Sequence, residues 1–141
     1  MSADQQYAAE TFGPITASER DPHGLAPNAP GAKLDHGKND LALVLHGFAR
    51  ALEAVGHVGT FGARKYTPNG WVQVPDGQHR YTSAMYRHLL AEGRGEQLDP
   101  QTSLHHAAHA EWNALARLEL ALREHEQQKT TEADHGRYAA G

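Results

Sequence analysis

The stretch 102-TSLHHAAHAEWNALARLELAL-122 decides the fold. A helix drawn through it at about 100° per residue gathers Leu104, Ala108, Leu115, Leu118 and Leu122 into one narrow stripe, which reads as the face turned to a core. His106, His109 and Asn113 fall on the far side, continued by Ala116 and Leu120. A side meant only for solvent would carry Glu, Lys and Arg instead. Two imidazoles at i and i+3 can converge on one ion, and the small Ala110 and Ala116 leave room for a ligand or a neighbouring helix. The competing reading is a second packing face or oligomer contact with ordinary polar histidines, and the stripe alone leaves both open. His105 points elsewhere and reads as surface.

That helix is expected over about 103–125, with Asp99-Pro100 ahead of it as a cap followed by a first-turn proline. A second helix is expected from about Gln78 to Gly93 or Gly95, with Tyr81, Met85, Leu89 and Glu92 along one side. A first runs from about Asp40 into the late fifties, since Leu41, Val44, Leu45, Phe48, Leu52 and Val55 recur at helical spacing and Asn39 or Asp40 can cap it. Gly56, Gly59 and Gly62 then follow at intervals of three. Either the helix breaks there or it presents a smooth edge to a close neighbour; the expectation is a helix that weakens near Gly59 and resumes through "TFGARKY". "TPNGWVQVPDG" (67–77) is a loop, since Pro68, Asn69-Gly70, Pro75 and Asp76-Gly77 punctuate it. Its "VQV" is too short to establish a strand. The fold class is therefore all-α, a small bundle of three main helices with short links and flexible N- and C-terminal tails.

Both ends of the 141-residue chain are poor in large apolar residues, with "DPHGLAPNAPG" and "EQQKTTEADHGRYAAG" as the clearest runs. Such segments bury too little surface to offset their ordering entropy. The expected organisation is a disordered or extended tail over 1–32, a helical domain over 33–125 and a disordered tail over 126–141. A core of that size is small, so a homo-oligomer is expected. There is no cysteine, which excludes disulfides and thiolate metal sites. No segment has the apolar length of a membrane span, and "MSADQQYAAETFG" lacks a basic region followed by a hydrophobic stretch. A soluble cytoplasmic protein with no membrane partner is the default. The formal net charge of -4 argues against broad, stable nucleic-acid binding, yet permits a local cationic pocket for phosphates.

Several residues carry chemistry beyond the histidine stripe. His88 and Glu92, one turn apart, share the apolar side of the second helix, where a carboxylate is costly unless paired or bound to a cation. They form either a hydrogen-bonded pair or part of a metal site with the third helix. Arg80 and Arg87 share another face and can hold an anion or simply be solvated. Glu96 and Asp99 in "EQLD" are a carboxylate pair in a turn. "FGARKY" and Trp71 combine Arg64 and Lys65 with the rings of Tyr66 and Trp71, suited to phosphates and a base, or to a positive helix end with anchoring aromatics. The two carboxylate pairs on adjacent helices of the all-α triphosphate pyrophosphohydrolases are absent, because no E-x-x-E lies upstream. A P-loop, the Nudix pattern, H-E-x-x-H, a His-Asp dipeptide and a nucleophile elbow are absent too.

In order, "KLDHGK" (33–38), "FGARKY" (61–66), "NGW" (69–71), "RY" (80–81), "RHLL" (87–90), "GEQLD" (95–99) and "HAAHAEWN" (106–113) resemble a family widespread in phage genomes, the N-terminal domain of dATP/dGTP diphosphohydrolases. The likeness covers about 33–124 and rests on the concatenation rather than on any one motif. "LALVLHG" replaces a Leu-Pro-Pro-like opening, the loop after Trp71 is longer, and the first 32 residues have no counterpart.

The resemblance implies a metal-dependent nucleotide diphosphohydrolase that converts dATP or dGTP to monophosphate and pyrophosphate and adjusts the nucleotide pool in a phage-infected host cytoplasm. It implies a divalent ion, Mg²⁺ or Mn²⁺ rather than Zn²⁺, although an imidazole-rich site suits Mn²⁺, Fe²⁺ or Zn²⁺ better than Mg²⁺. Metal ligands would come from His88, Asp99, His106 and His109, and catalytic groups from Glu92, Glu96 and His109. Lys38, Arg64, Lys65, Arg80 and Arg87 would neutralise phosphates, with Tyr66 or Trp71 stacking on the base and Asn113 at the substrate. A second class of function uses the same cations and rings without catalysis, in a binder that sequesters a nucleotide signal of host defence. A third is a structural helical module whose histidines serve an oligomer interface.

Overall fold

A computed structural model describes residues 19–139. The chain divides into two compact units after Val44.

The first unit is built of turns around one side chain. Asp21 is buried, and its carboxylate accepts the amides of His23 at 2.7 Å, Leu25 at 3.4 Å and Lys33 at 2.8 Å. Arg20 bonds His36 at 2.6 Å. His23 and Leu25, in the segment expected as a tail, thus share one carboxylate hub with Lys33; residues 1–18 of that tail and 140–141 of the other lie outside the described residues. Asp40 Oδ1 accepts the Ala42 amide at 3.1 Å and caps the four-residue helix α1, Ala42–Leu45.

The second unit is all-α. The helix expected to run from Asp40 into the late fifties is interrupted by a turn at residues 46–48 and restarts as α2, Ala49–Lys65. It then passes Gly56, Gly59 and Gly62 without a break, contrary to the expected weakening near Gly59. The reason lies across the interface: a Cβ on Gly59 would stand 3.2 Å from Trp112 Nε1, so the missing side chain admits the indole. Residues 70–73, which hold the "VQ" of the doubtful strand, form a turn of 3-10 helix, Gly70–Gln73. Helix α3 spans Gly77–Gly93, and α4 spans His106–Ala139. No strand occurs among the described residues, only an isolated antiparallel bridge between Leu98 and His105.

Helix α4 starts later than expected and ends later too. Asp99 does not cap it. The Asp99 carboxylate instead closes a turn by accepting the amides of Gln101 and Thr102, and Ser103 takes a left-handed φ of 58°, incompatible with helical continuation. The chain doubles back, with Asp99 N to Leu104 O at 2.8 Å and His106 N to Gln97 O at 3.1 Å. Past His125 the helix continues, because the expected tail over 126–141 contains no proline, and of its two glycines only Gly136 precedes the helix end.

Helix α4 packs chiefly on α3 and secondarily on α2, and the 3-10 turn touches both α3 and α4. The orientation of α4 reverses the expected one. His106, His109, Asn113, Ala110 and Ala116 are buried, whereas Leu115 and Leu118 are 45% and 53% exposed. Only Ala108 of the expected core stripe is fully buried. Small side chains let the backbones of α3 and α4 approach closely, and the polar groups between them satisfy one another. The leucines instead line an open apolar groove of about 550 Å³ with Leu52, Val55 and Gly59 of α2. Trp71, Tyr81 and Trp112 close the adjoining part of the core as an edge-to-face trio, with centroids 5.7 to 6.5 Å apart.

Candidate functional site

The turn between α3 and α4 folds three polar positions back onto the α3–α4 seam. Gly95, at φ 92°, reverses the chain after α3, and Glu96 N returns to Ala91 O at 3.1 Å. A side chain at that φ would be strained, so glycine is required. Glu96 and Asp99 thereby face the first turns of α4.

On the seam, His88 of α3 meets both buried histidines of α4. Its Nδ1 lies 2.9 Å from His106 Nδ1, and its ring stacks on that of His109 at 4.5 Å between centroids and 10° between planes. His106 Nε2 bonds Glu96 Oε1 at 2.8 Å. His109 Nε2 bonds Thr102 Oγ1 at 2.8 Å, and that hydroxyl donates to Asp99 Oδ1 at 2.9 Å. Asn113 donates from Nδ2 to His109 O at 2.8 Å. One ligand atom from each of His88, Asp99 and His106 falls within 4.8 Å of the others.

Burial, joined by the neighbouring imidazoles His109 and His106, lowers the pKa of His88. Burial likewise lowers that of His109, with Asp99 pulling the other way. For Asp99 burial acts upward, but the side-chain and backbone bonds from Thr102 and the nearby histidines prevail, and its pKa is lowered. At neutral pH His88 and His109 are therefore neutral imidazoles beside an ionised Asp99, the protonation state in which these groups bind a cation.

Of the residues singled out in the sequence, His88, Glu96, Asp99, His106, His109 and Asn113 come together here. Glu92 does not: it is exposed at the end of α3 and lies outside the group of His88, Asp99 and His106. Lys65 reaches the same turn, with Nζ 3.3 Å from Gln101 Oε1, and its ammonium lies 5.5 Å from the Tyr66 ring centroid. Tyr66 is 74% exposed. Arg64 is exposed, as are Arg80, which bonds Pro75 O at 3.4 Å, and Arg87, which bonds Ser83 Oγ at 3.1 Å. Trp71 sits in the aromatic trio with Arg123 5.7 Å over its ring, and Tyr81 Oη donates to its carbonyl at 2.8 Å. Lys38 is exposed in the first unit.

Thr102 and Arg117 escaped the sequence reading. The D-x-x-T spacing of Asp99 and Thr102 is a local turn signal and could have pointed to the first. Arg117, half-buried and 3.6 Å from Met85 Sδ, carries no such signal.

Comparison with known proteins adds a family. The family model described as "dATP/dGTP diphosphohydrolase, N-terminal" matches residues 28–130. A protein of Salmonella phage PMBT28 named dATP/dGTP diphosphohydrolase is 36% identical over 80 residues, covering 57% of this chain and 26% of the relative. The aligned part of this chain thus spans about a quarter of that relative's length. No solved structure matches.

Proposed function

The chain belongs to the dATP/dGTP diphosphohydrolase N-terminal family, and from that premise we propose that it hydrolyses purine deoxynucleoside triphosphates to monophosphate and pyrophosphate with a divalent ion. The observation that carries this reading is the convergence of His88, Asp99 and His106 beside a third imidazole, the neutral His109, on the α3–α4 seam. The donor set fits an ion: two nitrogens and a carboxylate oxygen, with His88 neutral and Asp99 ionised. Its imidazole content favours Mn²⁺ over Mg²⁺ of the two ions expected. When bound, such an ion supplies positive charge against the triphosphate and acidifies the attacking water.

The side chains divide the remaining work. His88, Asp99 and His106 would hold the ion. His109 carries its Nε2 proton toward Thr102, which leaves the Nδ1 lone pair to take a proton from water as general base. The water oxygen forms a bond to the α-phosphorus, the bond from that phosphorus to the α–β bridging oxygen breaks, and the pair leaves with pyrophosphate. Glu96 is engaged by His106, and Glu92 is outside the cluster, so neither competes for that role. Lys65 at Gln101 and Arg87 next to His88 are the cations best disposed for the phosphates. The exposed ring of Tyr66 beside Lys65 is better disposed than Trp71 to stack on a base.

Exposed Leu115, Leu118 and Phe48 support the homo-oligomer expected for so small a core. No helix among the described residues is long and apolar enough to cross a membrane.

The test is incubation of the full chain with dATP, dGTP and other nucleotides in Mg²⁺ or Mn²⁺, reading pyrophosphate release. Release from the purine deoxynucleotides is expected, faster with Mn²⁺. Tight nucleotide binding without turnover under any ion would replace the enzyme with a sequestering protein.

A further inference from the structure

The protons of the two buried histidines of α4 are dictated by their partners. A carboxylate oxygen only accepts, so the 2.8 Å contact of His106 Nε2 with Glu96 Oε1 puts the His106 proton on Nε2 and its lone pair on Nδ1. Thr102 has a single hydroxyl proton, which it gives to Asp99 Oδ1. Its oxygen must then accept, from Leu104 N at 3.2 Å and from His109 Nε2 at 2.8 Å. His109 is therefore the Nε2–H tautomer as well.

Both lone pairs are thus on Nδ1. His106 Nδ1 faces His88 Nδ1 at 2.9 Å, where His88 donates a proton when no ion is bound. Two nitrogen donors in cis positions about 2.1 Å from an ion stand about 3.0 Å apart, so the spacing of the two nitrogens already suits an ion, which replaces that proton once each ring tilts its lone pair away from the facing nitrogen. Asp99 Oδ1 already accepts from Gln101 N, Thr102 N and Thr102 Oγ1. Oδ2 takes no donor among the described residues and is the oxygen left for the ion.

We propose that Glu96 and Thr102 are positioning residues that lock His106 and His109 as Nε2–H tautomers, so that the site takes a first-row transition ion through His88 Nδ1, His106 Nδ1 and Asp99 and discriminates against Mg²⁺. This deepens, and rests on, the metal-dependent reading above. Neither residue touches ion or substrate. Glu96 sets which nitrogen of His106 can ligate, and Thr102 sets which nitrogen of His109 can act as base. Outer partners of this kind are worth about 10–100-fold in metal affinity.

The experiment uses the full-length chain labelled with ¹⁵N-histidine, freed of metal, with ring-nitrogen shifts read by NMR and Mn²⁺ and Mg²⁺ titrated by calorimetry. His106 and His109 should both be protonated at Nε2, and Mn²⁺ should bind without nucleotide while Mg²⁺ does not. Glu96→Ala should weaken Mn²⁺ by about 10–100-fold. Thr102→Val should shift His109 toward the Nδ1–H form, and Thr102→Ser should restore it. An Nδ1 proton on either histidine in the unsubstituted protein, or Mn²⁺ affinity unchanged in Glu96→Ala, overturns the proposal. The expected tautomers and Mn²⁺ binding without pyrophosphate release would uphold it and remove the hydrolase reading. Pyrophosphate release with reversed tautomers would do the opposite.

Discussion

Gly59 of α2 lies against the indole edge of Trp112 of α4: a Cβ at Gly59 would stand 3.2 Å from Trp112 Nε1, whereas one at Gly56 or Gly62 would meet nothing within 4 Å. Trp112 cannot easily give way, because Trp71 and Tyr81 hold it edge-on at 6.0 and 5.7 Å. The three glycines, identical in sequence pattern, therefore differ in consequence. Gly56→Ala and Gly62→Ala should each stabilise the protein by about 0.5–1 kcal/mol, the helix-interior cost of glycine. Gly59→Ala should destabilise it despite the same propensity gain. Urea denaturation of the three variants checks this, and a stabilising Gly59→Ala would mean that the indole is loosely held.

The buried face of α4 is the polar and small one, and substitutions there should show it. Ala110→Leu or Ala116→Leu forces a larger side chain into a close helix–helix contact and should cost about 1–3 kcal/mol. Leu118→Gln, at a position 53% exposed, should cost under about 1 kcal/mol. Thermal melting at two protein concentrations separates the cases. A large loss in Leu118→Gln that shrinks as concentration rises would identify the leucine face as a contact between copies.

How far the sequence foretold these features depends on what each signal measures. Helical periodicity established the three main helices, because 3.6-residue spacing is a property of the chain itself. It could not say which face of α4 turns inward. A leucine stripe is the usual core, but His106, His109 and Asn113 are buried at little cost once Glu96, Thr102 and the His109 carbonyl partner them, and those partners lie mostly outside the helix. The start of α4 was misjudged for a similar reason: Asp99 satisfies its own turn rather than a helix end. Glu92 shares a helical stripe with His88 in projection, yet α3 ends one residue later at Gly93 and leaves it exposed. That His88, His106 and His109 could converge was legible from their helical stripes; the D-x-x-T spacing of Asp99 and Thr102 signals a turn, but that the Thr102 hydroxyl sits between Asp99 and His109 emerges only in the fold.

Asp21 gives the first unit a pH dependence of definite sign. The Lys33 amide holds its carboxyl below the ordinary value of 3.8, against the upward push of burial and with help from the His23 and Leu25 amides. The folded state thus favours the ionised form. Its contribution is complete above 3.8 and is lost as pH falls through the lowered folded value. The amide shifts of His23 and Lys33, followed by NMR through acid titration, should inflect together below 3.8. In Asp21→Asn the inflection should vanish. One at or above 3.8 would contradict the hydrogen-bonded carboxylate.

His109 is the residue at which catalysis and folding can be separated. It lies outside the trio of His88, Asp99 and His106 that can hold an ion, yet its ring stacks on His88 and its Nε2 engages Thr102. Truncation to alanine would leave the Thr102 hydroxyl short of a buried donor, at about 1–3 kcal/mol, and would confuse the two roles. His109→Gln places an amide N–H within reach of Thr102 while removing the basic nitrogen. It should melt close to the unsubstituted protein, bind Mn²⁺ with similar affinity, and lose about 10²–10⁴-fold in pyrophosphate release, the range of general-base catalysis. Because only the proton acceptor is removed, the loss should fall on kcat rather than KM. Unchanged kcat would strip His109 of the role of base, and a collapse in melting temperature would return it to packing.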